Sequence, residues 1–250
     1  MGKLSPMALN LTPAIHEIAA AGSEWQRYRA RRLLGQATGA APEPDGQTED
    51  GAFAGPAGGP SPGATGLELC HLEMLGLMAA AAAKLAVTWL EAIRTPAGLW
   101  EDEPSETPGE LDTPRAGQVW ATASAACGLL AAGRDPGPRA LDELRGLVDT
   151  EGYVMGGAYT TAAAAGVWWL ADGPGNEIAE TSLDWAARHA DGWGIYEVLA
   201  ALTFWAGAGI PRDHPAVRRS LSQVRALDPV SWDDPEPVLR AAETVAYFRT

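Results

Sequence analysis

The chain has 250 residues, 46% of them hydrophobic, and a formal net charge of −14. An acidic balance of that size argues against nucleic acid or an anionic membrane surface as partner, because neither attracts a strongly acidic protein. A chain of this length buries roughly 70–75% of its unfolded surface, so residues 1–250 are read as one domain with a sizeable core.

The opening MGKLSPMALN has no apolar h-region, so no secretory leader is expected and the cytoplasm is the expected compartment. The longest apolar runs fall far short of a membrane span. Residues Thr12–Leu34 read as an amphipathic helix. Its cluster of Arg27, Arg29, Arg31 and Arg32 forms either an ion-paired face or a seat for an anionic head group. Residues 36–66 are rich in Gly and Pro and read as a flexible loop, either disordered or a lid.

An apolar helix over Gly66–Ala83 carries LELCHLEML, with Glu68, His71 and Glu73. Glu68 and His71 share a helix face, either as an acid–base couple or as a hydrogen-bonded core histidine. A second helix follows near Lys84–Arg94. The acidic stretch EDEPSETPGELDTPRAG reads as a solvated loop, and Asp112 is its candidate catalytic member because it precedes a helix start.

From there the elements alternate in kind. QVWATASAACGLLAA, GAYTTAAAAGVWWLA and IYEVLAALTFWAGA are apolar nearly all round and rich in small residues, which predicts helices surrounded by protein. Pro138–Val148, Asn176–His189 and Pro215–Leu227 carry one apolar stripe opposite charges, which predicts outer helices. Pro at the first turn and a cap residue before it mark their starts. A last inner helix is expected over Pro235–Phe248. Cys70 and Cys127 lie in apolar helical contexts and read as buried free thiols, not a disulfide framework.

The connections between these helices repeat. EDGAFAG, PAGLWED, TEGYVMG, ADGWGIY and DPVSWDD place Phe53, Trp100, Tyr153, Trp193 and Trp232 at turns, the first four with a Gly just before the aromatic. Outer helix, Gly-aromatic turn and inner helix then form one unit. About five such helix pairs, wound in one sense, predict an all-α fold, an α/α toroid with a central apolar cavity.

These turns resemble weakened QW-type repeats of the terpenoid cyclase and protein prenyltransferase superfamily, ADGWG at Ala190–Gly194 most closely, then PAGLW and TEGYV. The resemblance spans roughly residues 12–250 and implies fold more than reaction. It also exposes departures. The Asp-x-Asp-Asp acid motif of proton-initiated cyclases and the Asp-rich magnesium motif are both missing. Asp233 and Asp234 read as helix caps. The four histidines lack metal-ligand spacing, so no metal and no cofactor are expected.

Within such a toroid the ligand site falls at the mouth, where inner helices begin. Glu197 is the only charge between Trp193 and Gly209. It is either a desolvated proton donor or a cap of its own helix. The candidate catalytic set is Glu197, Asp112, His71 and Tyr196. The candidate substrate-binding set is Trp120, Tyr159, Thr161, Trp168, Trp205, Glu68 and Tyr247, with ordinary packing as the alternative for each aromatic. The expected function is a natural-product cyclase that folds a hydrophobic polyene, terpenoid or polyketide. Its chemistry would be metal-free, started by a noncanonical acid or pericyclic, of the [4+2] type. The alternative is a non-catalytic carrier of an apolar small molecule. A homodimer and a bacterial source, the latter from the Arg-over-Lys, Ala-rich style, complete the expectations.

Overall fold

The computed structural model describes residues 11–37, 39–109, 111, 113–226 and 234–249. Asp112, Trp232 and Asp233 lie outside the described residues. Among those described, the chain is all-α, with isolated bridges and no strand. The helices are α1 (Thr12–Ala21), α2 (Glu24–Leu33), α3 (Pro62–Met74), α4 (Ala81–Ile93), α5 (Pro114–Ala131), α6 (Pro138–Arg145), α7 (Gly157–Asp172), α8 (Glu177–His189), α9 (Ile195–Gly207), α10 (Pro215–Ala226) and α11 (Pro235–Tyr247). None is long and apolar enough to cross a membrane.

Most helix starts follow from local chemistry. Ser61, Thr113, Asn176 and Asp234 cap α3, α5, α8 and α11, each accepting a hydrogen bond from a first-turn backbone N–H that has no helical partner. Two expected elements are corrected. The single helix over Thr12–Leu34 is two, because Ser23 and Gln26 close a capping box that starts α2 afresh. The helix expected over Gly66–Ala83 begins earlier, at Pro62, and ends at Met74. There Gly76 takes φ +66°, and Leu77 N–H bonds back to the Leu72 carbonyl.

The apolar helices α3, α5, α7 and α9 pack in sequence, and α9 packs back on α3. The amphipathic helices lie outside them: α4 on α3 and α5, α6 on α5, α8 on α7, and α10 on α8 and α9. α11 packs on α9 and on the α1–α2 pair. Small residues allow the inner approach. A methyl on Gly66 would collide with the Ser124 backbone of α5, and one on Gly128 would lie 2.5 Å from the Gly66 carbonyl. Cys70 and Cys127 meet at this crossing as buried free thiols, Sγ to Sγ 3.6 Å. A methyl on Gly166 of α7 would press on Cys127 Sγ, and one on Gly207 of α9 on Cys70 Cβ. Four helices thus converge here on solid packing.

Three of the Gly turns share one construction. Thr48 N–H bonds to the Ala52 carbonyl, Thr95 N–H to Leu99 and Asp149 N–H to Tyr153. The glycine in each, Gly51, Gly98 and Gly152, has positive φ, which is costly for any side chain. Each glycine also faces an outer helix closely: Gly51 meets Leu85 of α4, Gly98 meets Arg139 of α6 and Gly152 meets Thr181 of α8. The residue after each turn is fastened to an inner helix by a buried threonine. Thr65 accepts from Phe53 N–H, Thr122 from Trp100 N–H and Thr161 from Val154 N–H. The third unit therefore aligns on Val154, one residue beyond the Tyr153 of the sequence alignment. The turn at Ala190–Gly192 is a 3₁₀ turn of a different build.

Within the Gly/Pro-rich stretch, residues 47–59 make contacts to the rest of the chain. Ala52 and Phe53 are buried. Glu106, also buried, accepts backbone N–H bonds from Ala57 and Gly59 at 3.0 and 2.9 Å.

Candidate functional site

The N-terminal halves of α3, α5, α7, α9 and α11 open onto one cleft. Its deeper part, of about 620 Å³, is lined by Trp25 and Arg29 of α2, Phe53, Glu68, Trp120 and Arg240, among others. A second part, of about 450 Å³, is more apolar and includes Leu67, Leu199, Ala200 and Thr203. Pro56, Tyr159, Tyr196, Glu236 and Arg240 line both parts, so the two are continuous. Residues 45–46 and 53–56 of the Gly/Pro-rich loop form one wall. Tyr196 stands at the opening with 59% of its surface exposed.

Below the cleft lies a cluster of charges. Arg29 is 1% exposed and meets Glu243 with two bonds, Nε to Oε1 at 2.8 Å and Nη2 to Oε2 at 2.7 Å. Its third nitrogen reaches Glu236. This fork-to-fork geometry suits guanidinium and carboxylate. His71, fully buried, faces Glu68 through Nδ1 at 3.0 Å and Glu243 through Nε2 at 2.9 Å. Arg240 ties Glu68 to Glu236 through its Nη2, and its Nε reaches Glu236 at 3.2 Å. Its Nη1 is buried without an acceptor. Helices α2, α3 and α11 are locked together by this set.

Electrostatics fix the state of these acids. Burial pushes the Glu68 carboxyl up, but the Arg240 charge and the His71 contact outweigh it and hold Glu68 well below the usual carboxylate range. Burial opposes ionisation of Glu243 too, and Arg29 with His71 overcomes it in the same direction. Arg29 goes the other way: burial disfavours its charge, yet Glu243 and Glu236 keep it firmly protonated. Glu68, which lines the cleft, and Glu243 are thus ion-paired acceptors, poor as proton donors near neutrality.

Asp102 behaves differently. It lines a separate groove of about 620 Å³ with Glu101, Glu103 and Arg115. Both its oxygens are sealed from solvent and unpartnered, as is the nearby Trp120 Nε1. Burial, reinforced by the charge of Glu106, pushes its carboxyl up to about 7. Ser61, Gly63 N–H and, least, Trp120 Nε1 pull the other way without overcoming burial, and none of them makes a hydrogen bond of good geometry to Asp102.

The sequence candidates divide. Glu68, Trp120, Tyr159 and Tyr196 line the cleft together. Trp120 stands edge-on to Tyr159 and Phe204, at ring distances of 5.7 and 6.0 Å. The expected lumen lining by Trp168 and Trp205 is corrected: both are fully buried in the core, outside the cleft, and Trp205 Nε1 donates to the Ala162 carbonyl. Thr161 is a turn fastener, not a ligand contact. Tyr247 donates to the Ala206 carbonyl, away from the cleft. His71 is the hydrogen-bonded core histidine, sealed beneath the floor. Glu197 does not line the cleft; its carboxylate accepts from Gly194 N–H and closes the capping box of α9.

Three of the clustered arginines have partners within the chain. Arg29 is spent on Glu243, while Arg27 and Arg32 donate to the carbonyls of Gly22 and Leu75. Sequence reasoning gave Arg240 and Glu236 no role, because their partners come from elements far apart in the chain. Among the described residues no three His, Cys, Asp or Glu side chains gather as a metal set. No family model matches the chain, and no curated protein or solved structure matches it either.

Proposed function

We propose that the protein is a small-molecule cyclase whose cleft holds a hydrophobic polyene, terpenoid or polyketide, in a folded shape at the mouth of an α/α toroid. The observation that carries the reading is the cleft itself: five helices present their N-terminal halves to one pocket that is apolar along Leu67, Leu199 and Ala200 and aromatic at Trp120, Tyr159 and Tyr196. Such walls select one chain conformation, and holding reacting carbons in contact supplies much of a ring-closure barrier. The winding of apolar helices inside amphipathic ones, with three turns of one build, supports the toroid.

The state of the acids favours pericyclic closure over acid-initiated cyclisation. Glu68 and Glu236 are engaged with arginines, and Asp102, the one carboxyl among the described residues that is raised to near neutrality, belongs to the wall of the neighbouring groove. Arg240 and the tyrosines then polarise the substrate without transferring a proton to it. The same observation fits a carrier, which binds and releases its ligand unchanged.

The test is incubation of the purified protein with linear polyenes, followed by chromatography and mass spectrometry. A product of unchanged mass and altered retention supports the cyclase. Tight binding with full recovery of substrate supports the carrier. No binding by any apolar chain removes the cleft from consideration.

A further inference from the structure

A cleft with walls of low dielectric focuses the field of the charges that line it, so the balance of those charges decides which ligands it draws in. In the deeper part of this cleft five carboxyl side chains, Asp45, Glu68, Glu106, Asp234 and Glu236, stand against two guanidinium groups, Arg29 and Arg240. With the buried Glu243 counted and His71 taken as protonated, six carboxylates still face three cations. Asp45 bonds the Ser23 hydroxyl, and Glu106 and Asp234 bond backbone N–H groups. None of these partners is a cation, so the negative excess stands.

The positive groups are also the hidden ones. The Arg29 side chain is 1% exposed and that of Arg240 11%, with Arg240 Nη1 sealed from solvent. Glu236 is 38% exposed, and Asp45 and Asp234 are exposed. Glu236, Tyr159 and Tyr196 line both parts of the cleft. The face of an aromatic ring attracts a cation. This wall already uses that attraction, because the Arg29 guanidinium stands over the Trp25 ring at 5.7 Å. An anion entering the cleft would meet carboxylates and no exposed guanidinium. A neutral end would gain nothing from the field. A ligand cation would meet Glu236 and the tyrosine rings beside the apolar walls of Leu67, Leu199 and Ala200.

We propose that the cleft takes an apolar chain ending in a cationic nitrogen, an amine or quaternary ammonium, and that Glu236, Tyr159 and Tyr196 receive the charge. This rests on the cleft being the ligand site, as proposed above, and narrows the substrate class within it. A charge fixed at one end also sets the register of the chain along the apolar wall, so the same carbons are brought together each time.

Three probes that share one farnesyl chain separate the possibilities: farnesylamine, a cation at neutral pH, farnesol, which is neutral, and farnesoate, an anion. Binding is measured by equilibrium dialysis with detection by mass spectrometry, below the concentrations at which the probes aggregate. We expect farnesylamine to bind about tenfold or more tighter than farnesol, farnesoate to bind most weakly, and farnesol to displace farnesylamine. Tyr196→Leu alters an exposed position and keeps it apolar, so the fold is retained. It should weaken farnesylamine about two- to fivefold and leave farnesol nearly unchanged. Glu236→Gln should reduce the preference for the amine further. Equal binding of amine and alcohol by the native protein overturns the inference and leaves the apolar cleft standing. Tightest binding of farnesoate also overturns it, in favour of an anion site. An amine preference that neither substitution reduces, or an amine that farnesol does not displace, puts the cation on the acidic surface outside the cleft and overturns it as well. Binding of none overturns both this inference and the function on which it rests. If Glu236→Gln does not fold, the native series and Tyr196→Leu still decide.

Discussion

Replacing Asp102 by Asn should stabilise the protein, and by an amount that depends on pH. The Asp102 carboxyl is raised from its usual 3.8 to about 7 by burial and the charge of Glu106. Below about pH 3.8 it is protonated in both the folded and unfolded chain and makes no difference. Between about 4 and 7 the folded chain holds a proton that the unfolded chain has lost, so stability falls as pH rises. Above about 7 both forms are ionised and the full penalty applies. At 1.36 kcal/mol per pH unit, the span from 3.8 to about 7 is worth about 4 kcal/mol, and because the residue as a whole is only partly buried this is reduced to roughly 2–3 kcal/mol. Asn has the shape of the protonated acid and never ionises. Urea unfolding of both proteins at pH 4.5, 6, 7 and 8 should therefore show a gap of at most about 1 kcal/mol at pH 4.5, widening to roughly 2–3 kcal/mol at pH 8. A gap that stays constant across this range would refute the assignment of a sealed, raised carboxyl.

Other substitutions test the remaining parts. Arg29→Met leaves the buried Glu243 without its main partner and should cost about 3–5 kcal/mol in urea unfolding, while the pair Arg29→Met with Glu243→Leu should recover much of that loss. Thr122→Val keeps the volume but leaves Trp100 N–H without an acceptor in the core, at about 1–3 kcal/mol in the same assay. Gly66→Ala forces α3 off the Ser124 backbone, and circular dichroism melts should show a loss larger than the about 1 kcal/mol that a helix gains from Gly-to-Ala exchange. Glu197→Gln should cost only about 0.5–1 kcal/mol through a weaker cap and leave probe binding unaltered, whereas loss of probe binding would return Glu197 to the site.

Much of the helical layout was legible because its signals are local. The Pro starts of α6, α10 and α11 and the apolar runs of α5, α7 and α9 lie within a few residues of their effects. Ser23 and Gln26, three apart, were an available signal for the break between α1 and α2 that the longer amphipathic pattern obscured. Ser61-Pro62 and Gly76 likewise marked both ends of α3, but glycines at 63 and 66 read as loop, whereas Gly63 lies against the Trp120 and Asp102 side chains and Gly66 against the Ser124 backbone. The site was legible in its aromatic wall and in Glu68. Arg29 and Glu243 are 214 residues apart, and His71 and Glu243 are 172 apart. No periodicity links them; only the packing of α2, α3 and α11 does. Glu197 left two readings open in the sequence, a proton donor or a cap of its own helix, and its position three residues past Gly194 suits the cap that the structure forms.

The threonine fasteners bear on which side chains the turns accept. Each grips main-chain atoms of the turn, at offsets of 12, 22 and 7 residues, and makes no demand on the turn residue's side chain. Phenylalanine, tryptophan and valine fill the three places. The side chain at the turn can therefore be exchanged without touching the hydrogen bonds that hold the turn in place. What the construction requires is a glycine of positive φ and a buried hydroxyl on the following inner helix, at no fixed distance along the chain.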